Sequence, residues 1–158
     1  ILDLESGGVN RVRVLGNGTV TMPYQPAFFA YRTGNYFTTA QNEKVLLNTE
    51  SYDIGSNFAT ATARFTAPVA GRYFFTGSVN TYSVTVDAYM MATLVINGAA
   101  KVYGNRSPSR DSGDWNVSVS GVVNMAVGDY AELWSWSSDA SRGMSSSAWN
   151  TFSGYLIG

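Results

Sequence analysis

Trp115-Asn116-Val117-Ser118-Val119-Ser120-Gly121-Val122-Val123-Asn124-Met125 is the stretch whose alternation decides the fold class. An extended chain sends successive side chains to opposite faces, so Trp115, Val117, Val119, Gly121, Val123 and Met125 share one face, and Asn116, Ser118 and Ser120 the other. One face is core and the other is wet, as in an antiparallel sheet covered on one side. The same period of two recurs in short runs between Gly, Asn, Ser and Pro, and no 3.6-residue apolar period persists anywhere. The chain is therefore all-β. Strands are expected near 26–32, 44–49, 58–66, 71–80, 87–97, 99–104, 115–125, 129–137 and 148–157, and that many short strands make a sandwich or barrel. Asn97-Gly98 between apolar runs signals a type I′ hairpin, and Val127-Gly128-Asp129 a second tight reversal.

With 158 residues the chain is long enough for one sizeable core and short for two. It is 45% hydrophobic but only 13% charged, so Ser, Thr and Asn must supply most of the polar surface. The net charge of −1, with both signs scattered, leaves no basic footprint for nucleic acid or anionic lipid. Cysteine is absent, which removes disulfides, thiolate catalysis and zinc-thiolate sites together. No apolar run approaches the roughly 18 residues of a membrane helix, so membrane insertion is not expected. Beginning at Ile1 without an initiator Met, the chain reads as a processed or excised part of something longer.

Two segments break the rule of one wet face. Ala27-Phe28-Phe29-Ala30-Tyr31 and Tyr73-Phe74-Phe75 put aromatics on both faces of a strand. Large aromatic patches are rare on monomers, so the expected cover is another copy of the chain, the alternative being a second apolar sheet within one monomer. Residues 1–25 differ again: Ile1-Leu2-Asp3-Leu4 and Arg11-Val12-Arg13-Val14-Leu15 alternate around Gly7-Gly8 and Asn17-Gly18 and can bury little alone. They are expected to form a stem or connector to a shaft, with Pro23 and Pro26 marking entry to a head over 26–158.

From Leu47 to Gly77 runs a spaced series of aromatics that ends Phe65-x5-Gly71-x-Tyr73-x-Phe75, with Phe58 seven residues before Phe65 and Asp53 five before Phe58. This resembles the signature of the complement C1q family, departing from it at Leu47, where Phe is preferred, and at Gly77, where Phe or Tyr is. Pro26-Ala27-Phe28-Phe29-Ala30, Gly128-Asp129-Tyr130-Ala131-Glu132-Leu133 and the final Thr151-Phe152-Ser153-Gly154-Tyr155-Leu156-Ile157 agree in order and spacing. The resemblance implies a ten-stranded jelly-roll sandwich forming a homotrimer, as in the tumour necrosis factor superfamily. Phe28, Phe29, Phe58, Phe65, Gly71, Tyr73, Phe75, Phe152 and Tyr155 are its core and trimer residues. The stem Asn10 to Pro23 is similar to connectors that precede C1q-like heads in bacteriophage fibre and virion-appendage proteins, and no Gly-X-Y collagen period is present.

No catalytic constellation emerges. With neither His nor Cys, catalysis would need a carboxylate pair or an activated Ser or Lys, and no nucleophile elbow, P-loop or zincin motif occurs. Asp111 and Asp114 are the nearest to a carboxylate pair, but one Ser/Gly-rich loop is a poor scaffold for fixed separation. The same two residues are a candidate for Ca²⁺, set against a solvated acidic loop that offers too few ligands. No other cofactor is expected. Past Asp129, inward Ala131 and Leu133 would send Tyr130, Glu132, Trp134 and Trp136 outward. Such a stripe suits a sugar stacked on flat rings, or else lies under a loop or against another subunit.

In an antiparallel jelly roll, connections two apart share one end, so the loops near 81–86, 106–114 and 138–147 should gather opposite the stem. They offer Tyr82, Arg106, Arg110, Asp111, Asp114, Asp139 and Arg142 as ligand contacts. The expectation is an extracellular or virion-borne trimeric head of a bacteriophage tail fibre or appendage. It would bind a host-cell surface receptor or glycan through these loops and other virion proteins through its stem. A structural trimerisation or capping domain, and a secreted C1q/TNF-like ligand, are the alternatives.

Overall fold

The computed structural model describes residues 2–146 and 148–158, and among these every regular element is a strand. The N-terminal segment forms its own antiparallel sheet of β1 (Leu2–Ser6), β2 (Val9–Val14) and β3 (Val20–Thr21). Most of its side chains are exposed or half-buried, as the short alternating runs require.

The remainder is two facing sheets. One runs β13 (Trp115–Met125), β10 (Gly71–Tyr82), β16 (Thr151–Leu156), β4 (Ala27–Tyr31) and β7 (Thr49–Ile54). Short β15 (Gly143–Met144) and β5 (Tyr36–Phe37) extend it beside the end of β10. The other runs β12 (Ala99–Pro108), β11 (Tyr89–Ile96), β14 (Tyr130–Ser137), β9 (Arg64–Thr66) and β8 (Phe58–Ala59), with β6 (Asn42–Lys44) continuing along β14 beyond β9. Five main strands a side, all antiparallel, make the jelly-roll sandwich. The expected strands near 44–49 and 58–66 are each broken in two, the first by irregular backbone at 45–48 and the second by a turn at 60–63. On the first, Val45 and Leu47 are buried while Leu46 is not.

The signature aromatics form one stack between the sheets. Phe28 lies 5.0 Å from Phe58 and 4.8 Å from Phe65, Phe75 stacks on Phe152 at 5.5 Å, and Tyr73 packs on Phe65 at 5.6 Å. Each such ring removes a large apolar area from water and gains ring-to-ring contact in addition. The spacing of the signature has physical causes. Asp53 Oδ2 accepts the Phe58 amide at 2.8 Å and closes the β7–β8 turn, while the Tyr73 hydroxyl donates to Val69 O at 2.8 Å and ties the start of β10 to its preceding loop. Gly77 departs from the family because Leu133 already fills that volume: a Cβ there would stand 2.6 Å from Leu133 Cδ1.

The Asn97-Gly98 hairpin is as the sequence predicts, with positive φ at both residues (51° and 77°), as a type I′ turn requires. Its Asn97 also grips the neighbouring turn, donating to Asp129 Oδ1 at 2.7 Å and accepting the Tyr130 amide at 2.9 Å. Donation from Asn97 and from the Ala126 amide holds the Asp129 carboxyl below its usual range.

Candidate recognition surfaces

Three outward regions carry the residues singled out in the sequence. The first is the outward face of β13, β10, β16, β4 and β7. Cross-strand register aligns Val122, Phe74, Tyr155, Ala27 and Ile54 in one row across the sheet, and Ser120, Thr76, Ser153, Phe29 and Tyr52 in the next. The second row is mostly hydroxyl and the first entirely apolar or aromatic. Tyr52, Val122 and Tyr155 are about half exposed, at 51%, 53% and 49%. Phe28 and Phe29 divide as the sequence implied, one into the core and one onto this face.

The second region is the end of the sandwich opposite β1–β3. The three expected loops do meet there. The Thr85 amide and hydroxyl both donate to Asp139 Oδ2, at 2.9 and 2.7 Å, and the Ser109 hydroxyl donates to Thr85 O. Those Thr85 donors, outweighing partial burial, hold the Asp139 carboxyl below its usual range. Tyr82, Asp114, Asn35, Ser145, Ser146 and Trp149 line an open cavity of about 310 Å³. Asn35 and Trp149 join it from outside the three expected loops, Asn35 from the 32–41 connection and Trp149 from just before the last strand, which begins at Thr151 rather than near 148. Arg110 and Asp111 are exposed, and Asp111 Oδ1 turns back to accept the Gly113 amide at 2.7 Å. No group of three or more His, Cys, Asp or Glu side chains fit to hold a metal occurs among the described residues.

Two of the loop residues are placed otherwise than the sequence suggests. Arg142 is fully buried: its guanidinium donates to Ala40 O and Asp139 O at 3.2 Å and to Ser135 O and Oγ at 3.1 and 2.9 Å. It is an internal post that satisfies the carbonyls of three chain segments, and burial pulls its pKa below the usual arginine value. Arg106 lies within β12 rather than in the loop after it, and stacks over Tyr89 and Trp136.

The third region is the outward face of β12, β11 and β14. Tyr130, Trp134 and Trp136 point outward and are half-buried, whereas Glu132 is only 3% exposed, contrary to the expected open stripe. Lys44 at 3.3 Å and Arg64 at 2.9 Å both bond Glu132 Oε1, while Trp134 Nε1 donates to Oε2 at 2.9 Å. Charged groups from β6 and β9 close over the carboxylate, a cover that alternation within one strand does not reveal. Burial alone would raise the Glu132 pKa, but donation from Trp134, Arg64 and Lys44 outweighs it and holds the carboxyl below its usual range.

The family model for the C1q domain matches residues 27–157. The chain belongs to the C1q family. Complement C1q tumor necrosis factor-related protein 3 from Mus musculus and from Homo sapiens are each 26% identical over 117 residues, covering 74% of this chain. The match spans just under half, 46%, of each relative's length.

Among solved structures, the globular domain of zebrafish complement 1qA covers 85% of the chain and 98% of its own, with a TM-score of 0.67 at 20% identity. Eiger TNF from S. frugiperda gives 0.67 at 9% identity, covering 85% of this chain and 94% of its own. Murine APRIL gives 0.58 at 15%, covering 84% and 98%. At these identities the likeness establishes the shared C1q/TNF fold. Membership of this non-enzymatic class agrees with the lack of any catalytic constellation. The relatives named here are animal proteins, so they lend nothing to a bacteriophage fibre or virion setting.

Proposed function

We propose that this C1q domain is the homotrimeric, extracellular recognition head of a C1q/TNF-type ligand. It assembles through the outward face of β13–β10–β16–β4–β7 and meets a receptor or surface glycan through the loops around Tyr82, Arg110, Asp114 and Trp149. One observation carries the reading: the row Val122, Phe74, Tyr155, Ala27 and Ile54 is an apolar and aromatic band on a face that none of the described strands covers, with Val122 and Tyr155 about half exposed. Such a band belongs to an interface rather than to a free surface. Three copies about one axis would bring three sets of loops to one end and add avidity for a repeated partner.

Residues 1–25 serve in this reading as the stem that joins the head to the rest of the protein. Gln25 Nε2 donates to Leu156 O, and Leu156 N donates to Pro26 O at 3.0 Å, which fixes the stem's end against the last strand. That β1–β3 make a small sheet in place of collagen triplets favours a second carrier, a virion fibre or appendage binding host cells. The complete gene and its neighbours discriminate the two.

Sedimentation of the purified chain at micromolar concentration tests the assembly, with three times the 17.0 kDa chain mass as the expected result. A monomer persisting at about 100 µM would overturn it, since obligate interfaces of this kind hold far below that. Replacing 109–114 by a short Gly/Ser loop should leave the trimer intact and abolish cell or receptor binding. Unchanged binding would leave only an architectural role.

A further inference from the structure

On the outward face of β11, β12 and β14 the side chains build a trough. Its floor is the middle strand, where Thr93 and Val95 are small and buried, continued by Gly98 and Ala100. Its walls are Tyr103 of β12 on one side and Trp134 and Trp136 of β14 on the other, with Met91 and Asn42 at one end. Register explains the shape, since Thr93 sits between Tyr103 and Trp134, and Met91 between Arg106 and Trp136. The enclosed volume is about 200 Å³, the size of one small ring rather than of a peptide segment.

The walls are rigidly set. Trp134 is pinned by its Nε1 bond to Glu132, and Trp136 carries the Arg106 guanidinium 5.0 Å above its ring. The charges around the trough do not balance. Lys44 and Arg64 share the single carboxylate of Glu132, and Arg106 takes part in none of the ion pairs among the described residues. A half-enclosed aromatic slot therefore has surplus positive charge on its rim, together with a planar guanidinium whose donors have no acid to meet.

We propose that this trough binds an acidic sugar, a pyranose ring bearing a carboxylate, such as a uronic or sialic acid residue of a glycan. The axial C–H face of the ring lies against Trp134 and Trp136, its carboxylate accepts from Arg106, and its hydroxyls reach Asn42 and the Tyr103 hydroxyl. A cationic ligand is disfavoured because the carboxylate beside Trp134, that of Glu132, is already shared by two cations. A neutral sugar would leave the Arg106 donors unused. The site lies within one chain, on the sheet opposite the proposed assembly face, and so stands apart from the trimer reading.

Titration of the assembled protein with methyl β-glucuronide, the methyl glycoside of N-acetylneuraminic acid and methyl β-glucoside, followed by tryptophan fluorescence and saturation-transfer NMR, tests it. The acidic sugars should bind saturably with a Kd on the order of 1 mM, the range open to so small a ligand, and added salt should weaken them. Arg106→Gln should weaken the acidic sugars about tenfold while leaving the neutral glucoside as it was. Trp136→Ala should weaken all three. Should Trp136→Ala not fold, Ala100→Trp fills the trough from an exposed position and should abolish binding. No saturation by either acidic sugar up to about 50 mM, or equal response to the neutral glucoside, would overturn the proposal, since Arg106 then contributes nothing. So would binding that survives Ala100→Trp and is lost in Trp149→Ala, which would place it at the loop end.

Discussion

On the face of β4, β7, β10 and β16, Phe29 meets Tyr31 and Tyr52 at 6.4 Å and Phe74 meets Tyr155 at 5.5 Å, ring against ring. On the face of β11, β12 and β14, rings are held by ions: Arg64 stands 3.6 Å over Tyr130, Arg106 lies over Tyr89 and Trp136, and Glu132 accepts from Trp134. The two faces carry similar rings in different company. A bare aromatic row gains free energy when a second apolar surface covers it, because covering it desolvates no charge. A row interleaved with charges resists such covering, because each ion would lose hydration. The first face is thus fitted to a protein copy, and the second to a small hydrated ligand that leaves the ions partly wet.

The sharpest way to break this comparison is to put the same charge on both faces. Tyr155→Arg places a guanidinium inside the apolar row, and in a trimer it would be repeated at three contacts, each losing about 2–4 kcal/mol as central interface residues do. Sedimentation should show monomer at micromolar concentration. Tyr103→Arg, on the opposite sheet and at a somewhat more exposed tyrosine (64% against 49% for Tyr155), should leave the mass unchanged. If both variants keep the parent mass, the apolar row is not the assembly face; if both lose it, the distinction between the faces fails.

Much of the first face was legible in the sequence and little of the second, for a reason of register. Alternation in Ala27–Tyr31 and Gly71–Tyr82 is unbroken, so reading Phe28, Tyr73 and Phe75 inward and Phe29 and Phe74 outward needs no more than counting by two. Counting back from the Asn97-Gly98 turn, by contrast, pairs Thr93 with Val102. The strands shift register twice, between Leu94 and Val95 and again between Met91 and Thr93, so that Thr93 faces Tyr103 and Met91 faces Arg106. A one-residue bulge flips every later side chain: the first turns Tyr103 onto the outward face, where a simple hairpin would place Val102, and the second returns Arg106 to that face and moves it from opposite Tyr89 to opposite Met91. The trough owes its second wall to the first of these bulges, and the one local hint in residues 99–108 is Gly104, since an isolated glycine inside a strand marks a bulge or a close backbone approach. The burial of Arg142 escaped for a similar reason, because the carbonyls it satisfies come from 40, 135 and 139, which only the fold brings together.

A smaller effect is expected from removing the charge that organises the second face. Glu132→Gln keeps an acceptor for Trp134 Nε1 but leaves Lys44 and Arg64 without their acid. Both cations are partly exposed, with side chains 24% and 36% accessible, so water recovers much of what is lost. A destabilisation of about 1–2 kcal/mol is expected in denaturant titration, with sedimentation unchanged. Glu132→Ala should cost more and alter the near-ultraviolet circular dichroism, because Trp134 then loses its partner. Equal effects of Gln and Ala would show that Trp134 does not depend on this carboxylate for its position.

The smallest effect is a dependence on pH, and its sign follows from the same carboxylate. Glu132 is held below its ordinary value of 4.5, and Asp129 and Asp139 below 3.8, because each is better bonded when ionised in the fold than in the unfolded chain. A depressed folded-state pKa contributes stability that is fully present above the unfolded value and is lost as pH falls through the folded one. Stability should therefore be flat from neutrality down to about pH 4.5 and decline below it. The measurement is cleanest in the Tyr155→Arg background, where dissociation of copies does not enter. Adding Glu132→Gln there should make the decline shallower, since one of the three titrating groups is gone. A decline as steep as before would mean that Lys44 and Arg64 do not favour the ionised form, and the ion-held character of the second face would rest on Arg64 over Tyr130 and Arg106 over Tyr89 and Trp136.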